Sequence, residues 1–282
     1  MSKKVYDLVF SLGAACSCSM ILREYGLQHA SFPLDWVGNS EILSGEGVRL
    51  TTDVVVGGFR NWLSECNLER EPRYDSHKHL GYFDRGTRLF FIHDFSIAAD
   101  SRQEYLAVRS KYLRRIERFQ RLLSSAHSVL FVWIADPRSS GVVSEDDIQY
   151  SLGRFRDAYP NADFKMVVAN CAPGIRPEAM QVRCGDGYEC YAFDYRAVSE
   201  GAQNWEVRNE LFAPIFKRCA VVDYRTREEK RANASRVRAR DMEKFKATST
   251  LDLLLTKMKF KLYRHLKRKL EQKGVLGGGE RQ

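Results

Sequence analysis

No stretch of this 282-residue chain approaches the roughly 18–20 consecutive apolar residues that a membrane-spanning helix needs. Behind Met1-Ser2-Lys3-Lys4 the apolar run is too short for a secretory leader, so a cytoplasmic protein is the expectation. Paired metal-binding cysteines are missing as well. Cys16, Cys18, Cys66, Cys171, Cys184, Cys190 and Cys219 make an odd total of 7 and repeat no zinc-ribbon or small-disulfide spacing. Free thiols follow from that, most of them core filler. His77 and His79 with Cys16 and Cys18 form no recognised ligand pattern, and no His-Glu-x-x-His backs them, so no metal is expected. Ser11-Leu12-Gly13 lacks the Gly-Lys-Ser/Thr of a phosphate loop and the third glycine of a dinucleotide turn. No resident cofactor is expected, and a coenzyme A-linked donor stays open.

What is present is unevenly spread. Over residues 225–273 there are 17 Lys and Arg against 6 Asp and Glu, a surplus larger than the net +9 of the whole chain. The basic character therefore belongs to an appendage, which argues against a nucleic-acid surface spread over the whole protein. Within it, Leu251, Leu254, Leu255, Met258, Leu262, Leu266 and Leu270 recur at three- and four-residue steps. Lys257, Lys261, Arg264, Lys267, Arg268 and Lys269 fill the other side. Residues 251–273 thus read as a basic amphipathic helix. It suits packing on its own domain, a second subunit in a homo-oligomer, or an anionic membrane on the inner face. Nucleic acid is not expected as a partner. The divisions expected are an α/β domain over 1–224, a basic helical arm over 225–274 and a disordered tail over 275–282.

The first 224 residues alternate strand and helix patterns. Strands are expected over 5–10, 89–92, 128–134, 164–169 and 189–193. Helices are expected over 16–25 and 103–124, from a capping box at Ser144-Glu145-Asp146-Asp147 to Tyr159, and over 205–216. Leu106, Leu113, Ile116, Phe119, Leu122 and Leu123 would form the buried side of the second. Residues 42–62 are ambiguous. This alternation predicts a three-layer α/β fold, a mainly parallel sheet with helices on both faces. Sites in such sheets form beyond the carboxyl ends of the strands.

Cys16 falls at such an end, after Gly13 and at the start of a helix. Free backbone N–H groups and the helix dipole there favour a thiolate and can hold an oxyanion. Gly13, Ala14, Ser17 and Trp36 are the expected substrate or oxyanion positions. A nucleophilic thiol needs a base. Of 6 histidines, His93 stands out, because it follows an apolar strand and precedes Asp94. Asp35 and Asp94 are the candidate orienting groups. Arg23, Arg73 and Arg138 can each bind a phosphate, and the sequence does not choose among them.

Three motifs carry a resemblance: Ser11-Leu12-Gly13-Ala14-Ala15-Cys16, then Ser31-Phe32-Pro33-Leu34-Asp35-Trp36, then His93-Asp94-Phe95. They resemble a bacterial family of unknown function labelled as papain-like cysteine peptidases, with Leu34 where phenylalanine is usual. The resemblance implies Cys16 as nucleophile and His93 as its base. The glycine-to-cysteine turn is also similar to that of capsule-biosynthesis proteins and of cysteine variants of the Ser-Gly-Asn-His hydrolases, although this chain lacks their late Asp-x-x-His. These likenesses imply acyl transfer or hydrolysis, with a small molecule or a cell-surface glycan or its precursor as substrate. A cysteine peptidase, or a non-catalytic partner in an envelope polysaccharide assembly complex, stays open beside it.

Overall fold

A computed structural model of the chain describes residues 3–39, 42–97, 101–197, 206–232 and 234–235. The chain divides into two units, Met1–Asp223 and Tyr224–Gln282. The amphipathic segment 251–273 lies outside the described residues.

In chain order the elements are β1 (Lys4–Tyr6), β2 (Leu8–Gly13), α1 (Cys16–Glu24), β3 (Val37–Gly38), α2 (Ser44–Val56), β4 (Leu68–Arg70), β5 (His79–Asp84), β6 (Leu89–Ser96), α3 (Ser101–Ser125), β7 (Ser128–Ile134), α4 (Glu145–Ala158), β8 (Asp163–Cys171), β9 (Gln181–Gly185), β10 (Tyr188–Phe193), α5 (Ala213–Phe216) and β11 (Cys219–Val221). A five-stranded sheet runs β2-β7-β8-β10-β9. Its first four strands are parallel, and β9 is antiparallel at the edge. β1 and β11 form a separate parallel pair.

Alternation along the strands splits the core into two faces. On one face Val9, Leu130, Val132 and Ile134 pack with Ile21 and Leu22 of α1 and with Ile215 and Phe216 of α5. On the other, Phe10 stacks on Phe119 of α3 at 4.1 Å, and Phe131 stacks on Phe155 of α4 at 3.9 Å. The α/β class with helices on both faces is thus the observed architecture. Ser144 caps α4 by accepting from the Asp147 N–H.

Several expectations need correction. The first strand breaks at Asp7 into β1 and β2, and Val5, on β1, is exposed. Leu106 and Leu113 are exposed on α3, whose buried side is Val108, Tyr112, Ile116, Phe119 and Leu123. Instead of a helix over 205–216 there is a 3-10 turn, Asn209–Phe212, followed by the short α5. The largest departure is a second, antiparallel sheet, β3-β6-β5-β4. β6 belongs to it and not to the parallel sheet.

Candidate active site

β2 ends in two left-handed residues, Gly13 (φ 105°) and Ala14 (φ 47°). This turn lifts the chain out of the sheet and starts α1 at Cys16, with Ala15 as an extended N-cap that supplies no side-chain cap. The thiol therefore stands at the carboxyl edge of the parallel sheet, at the first residue of a helix. The N–H groups of Cys16 and Ser17 act on it and favour the thiolate. Burial acts the other way and is larger, so the Cys16 thiol is pushed above its ordinary value. The helix start does not by itself give a preformed thiolate here. Cys18, one half-turn on, is buried, donates to the Val132 carbonyl at 3.5 Å and is pushed up to about 12 by burial. All 7 cysteines are free.

The segment Phe32–Trp36 is a 3-10 turn with Pro33 at its first position. Asp35 holds it together from a fully buried position. It accepts from the Phe32 N–H at 2.8 Å, Gln28 Nε2 at 2.6 Å and Arg23 Nη2 at 3.0 Å. Desolvation raises its pKa, against the Arg23 charge that lowers it. Ser19 Oγ ties this turn to α1, lying 3.0 Å from the Asp35 carbonyl and 3.1 Å from the Cys16 carbonyl. Trp36 is then sandwiched. The Arg23 guanidinium lies 5.6 Å from its ring, and the His93 ring meets it edge-on at 6.2 Å.

His93 is not at a strand end but inside β6, and it is exposed. Its ring also meets His79 at 6.3 Å. Desolvation lowers its pKa below the usual imidazole value; Asp94 opposes that and His79 adds to it. Asp94, the next residue, turns to the opposite side of the sheet. There it accepts from Tyr112 Oη at 2.8 Å and pairs with Lys111 on α3. Asp35 and Asp94 thus both have other partners, and neither makes a hydrogen bond to His93 among the described residues. Nor does a hydrogen bond join Cys16 to His93. The two are connected through Ser19, the Asp35–Trp36 turn and the Trp36 ring.

The charged groups that act on Cys16 are Asp136 and Arg138. They follow β7, the neighbour of β2, where Gly13 pairs with Trp133. Asp136 is buried and takes Arg138 in a two-pronged clamp, Nε to Oδ1 at 2.9 Å and Nη2 to Oδ2 at 2.6 Å. Sequence reasoning put Arg138 level with Arg23 and Arg73 and missed Asp136. The available signal was an Asp-x-Arg placed directly after a strand. Arg23 is taken up by Asp35, and Arg73 by Glu71. A cavity of about 500 Å³ lies at the amino end of the sheet, among Tyr6, Lys165, Tyr188 and Arg218; Cys16 does not line it. Among the described residues no group of three or more His, Cys, Asp or Glu side chains is arranged to hold a metal ion.

The fold and this edge describe an α/β protein with a half-buried cysteine where such sheets build their sites. Residues 7–172 match the family described as "Putative papain-like cysteine peptidase", and the chain belongs to that family. Membership supports cysteine-based chemistry as a class. A similar protein is the "Uncharacterized protein R408" of Acanthamoeba polyphaga mimivirus, 30% identical over 142 residues. The match covers 44% of this chain, and the chain spans 60% of that relative's length. A viral relative also removes the restriction of the resemblance to bacteria. No solved structure matches the chain.

Proposed function

We propose that this protein is a thiol-dependent acyl-transfer enzyme, with Cys16 as nucleophile and His93 as base. The observation that carries the reading is the position of Cys16 at the first residue of α1, on the carboxyl edge of the parallel sheet. Burial keeps the thiol protonated at neutral pH, so its proton must leave as attack occurs. His93, held neutral by its lowered pKa, is suited to take it. As the Sγ–carbon bond forms, the carbonyl oxygen gains charge beside the free N–H groups at the start of α1. The bond to the leaving group then breaks, and that group takes the proton from His93. Water or a sugar hydroxyl next attacks the acyl-cysteine, giving a hydrolase or a transferase. A sugar acceptor on a cell-surface glycan or its precursor belongs to this reading.

The test is acylation by p-nitrophenyl acetate followed by peptide mass analysis. One acetyl group is expected on the peptide holding Cys16. Cys16→Ala should lack it, and His93→Ala should acquire it about 100-fold more slowly. Acetylation or turnover indifferent to Cys16→Ala would overturn the proposal. The peptidase reading draws on the family description, and it predicts turnover of peptides but not of esters or thioesters.

A further inference from the structure

The Asp136–Arg138 clamp has a copy. After β10, Asp194 holds Arg196 with the same pattern: the Arg196 N–H and Nε to Oδ1 at 3.2 and 2.9 Å, and Nη2 to Oδ2 at 2.7 Å. In the first clamp the Arg138 N–H also reaches Oδ1, at 2.9 Å. Both clamps therefore sit at carboxyl ends of parallel strands of one sheet, with β8 between them. Two strand spacings separate them by about 10 Å. Tyr195, inside the second clamp, reaches across, and its hydroxyl donates to the carbonyls of Ala135 at 2.7 Å and Ala169 at 3.1 Å. The two clamps are thus locked to one another. Cys171, at the end of β8, feels both Asp136 and Arg196, while Cys16 feels Asp136 and Arg138.

Each guanidinium is fixed before any ligand arrives, and no hydrogen bond among the described residues uses its Nη1. Each clamp is neutral as a whole, so what it presents is a directed donor fork, which selects carboxylates and phosphates over diffuse anions. Two such forks, with the open N–H groups of α1 beside one, ask for a ligand with more than one negative charge. Ser17 Oγ, buried at the second residue of α1, also lacks a hydrogen-bond partner among the described residues.

We infer that the carboxyl edge between Arg138 and Arg196 binds a diphosphate, and that the acyl donor offered to Cys16 is a diphosphate-linked carrier. The meaning for catalysis rests on the acyl-transfer reading; the binding does not. A diphosphate, with a charge-assisted bond of about 2.8 Å at each end, bridges forks spaced in this way. Its bound end would lie beside the Cys16 thiol.

The experiment is calorimetric titration of the full-length protein with inorganic pyrophosphate. Parent, Arg138→Gln, Arg196→Gln and the double variant all keep the basic C-terminal segment, so any difference between them reports the clamps. Each single change should weaken binding about tenfold, and the double change should abolish it. Pyrophosphate should also slow iodoacetamide labelling of Cys16 in the parent. If Arg138→Gln fails to fold, Arg138→Lys keeps the charge without the fork and should still bind more weakly than the parent. Equal affinity in the double variant and the parent would overturn the site, since the anion would then be held by the basic segment. ADP and coenzyme A are compared next, because both carry the diphosphate and only coenzyme A adds a thiol for an acyl group. Binding of either supports the inference, and binding of neither overturns the assignment to a carrier. If pyrophosphate binding depends on both arginines but Cys16 takes no acetyl group, the acyl-transfer reading falls and the anion site stands. If Cys16 is acetylated while pyrophosphate ignores both arginines, the anion site falls alone.

Discussion

His93 sets the pH dependence of the proposed chemistry. Its pKa is lowered from 6.5 by desolvation, so the neutral, proton-accepting form persists further into acid than in an ordinary histidine. The acid limb of Cys16 acetylation should therefore lie below pH 6.5, and it should vanish in His93→Ala. A limb at or above 6.5 would contradict the lowering of the His93 pKa beside Trp36 and His79. Asp35 predicts a different outcome, one of stability. Asp35→Ala leaves the Phe32 N–H without its acceptor in a buried turn and takes one of two acceptors from Gln28 Nε2, which keeps the Ala30 carbonyl. It also removes the charge partner of Arg23, which is one-third exposed and keeps Ser31 Oγ. The expected loss in urea unfolding is on the order of 2–4 kcal/mol, against about 1 kcal/mol for Arg23→Ala. Equal losses would mean that Asp35 does not organise the turn. Cys16 and the Asp35 segment were legible as residues because strand, glycine turn and helix start are local patterns. The partners were not legible. Asp35 turned out to serve Arg23 and Gln28, and Asp94 to serve α3, because such pairings depend on which elements meet. The direction of the Cys16 shift was misjudged for a related reason: the helix start can be read locally, but the burial that outweighs it cannot.

Two helix glycines separate packing from propensity. A Cβ on Gly47 of α2 would lie 2.9 Å from the Trp133 ring and 3.1 Å from Asn39 Nδ2. Trp133 is fully buried, so it has little room to yield. Gly47→Ala should destabilise the protein by about 1–3 kcal/mol. Gly153, inside α4, has nothing within 4 Å of such an atom. Gly153→Ala should stabilise by about 0.5–1 kcal/mol, because alanine loses less backbone freedom on folding. Urea unfolding of both variants checks the contrast, and shifts of one sign would show that the α2–β7 contact is loose. Helical propensity alone treats these glycines alike, which is why residues 42–62 stayed ambiguous in sequence. The strands of the parallel sheet were readable because β7 and β8 are long and apolar. The antiparallel sheet was not, because the partners that β6 pairs into a sheet are hard to read: β3 and β4 have only 2 and 3 residues, and β5, His-Leu-Gly-Tyr-Phe-Asp, is polar at both ends. Its omission is what misplaced His93 at a strand end. On α3, periodicity found the helix but put Leu106 and Leu113 on the wrong side. Tyr112 and Val108 face the antiparallel sheet and the core instead, through contacts such as Tyr112 with Phe91 at 5.4 Å.

At the scale of the molecule, charge and chemistry are segregated. The family match ends at residue 172, and the basic surplus begins more than fifty residues later. No helix among the described residues is long and apolar enough to cross a membrane. The sequence pattern of residues 251–273, basic and amphipathic, is of the kind that binds an anionic membrane surface. Lys and Arg near an anionic leaflet contribute about 1 kcal/mol each, and the effect is screened within about 10 Å at 0.1 M salt. The full chain should therefore float with phosphatidylglycerol vesicles at low salt and not with phosphatidylcholine vesicles. It should come off as salt is raised. Replacing Lys257, Lys261, Arg264 and Arg268 by glutamine should prevent flotation while Cys16 acetylation is unchanged, since Cys16 and the family match over residues 7–172 belong to the other unit. The competing use of the same leucines is self-association. In that case the chain stays unbound with both vesicle types, sediments as a dimer, and reverts to monomer when Leu255 and Leu262 become glutamine. The two outcomes exclude each other, because a leucine stripe closed in a dimer is no longer available to lipid.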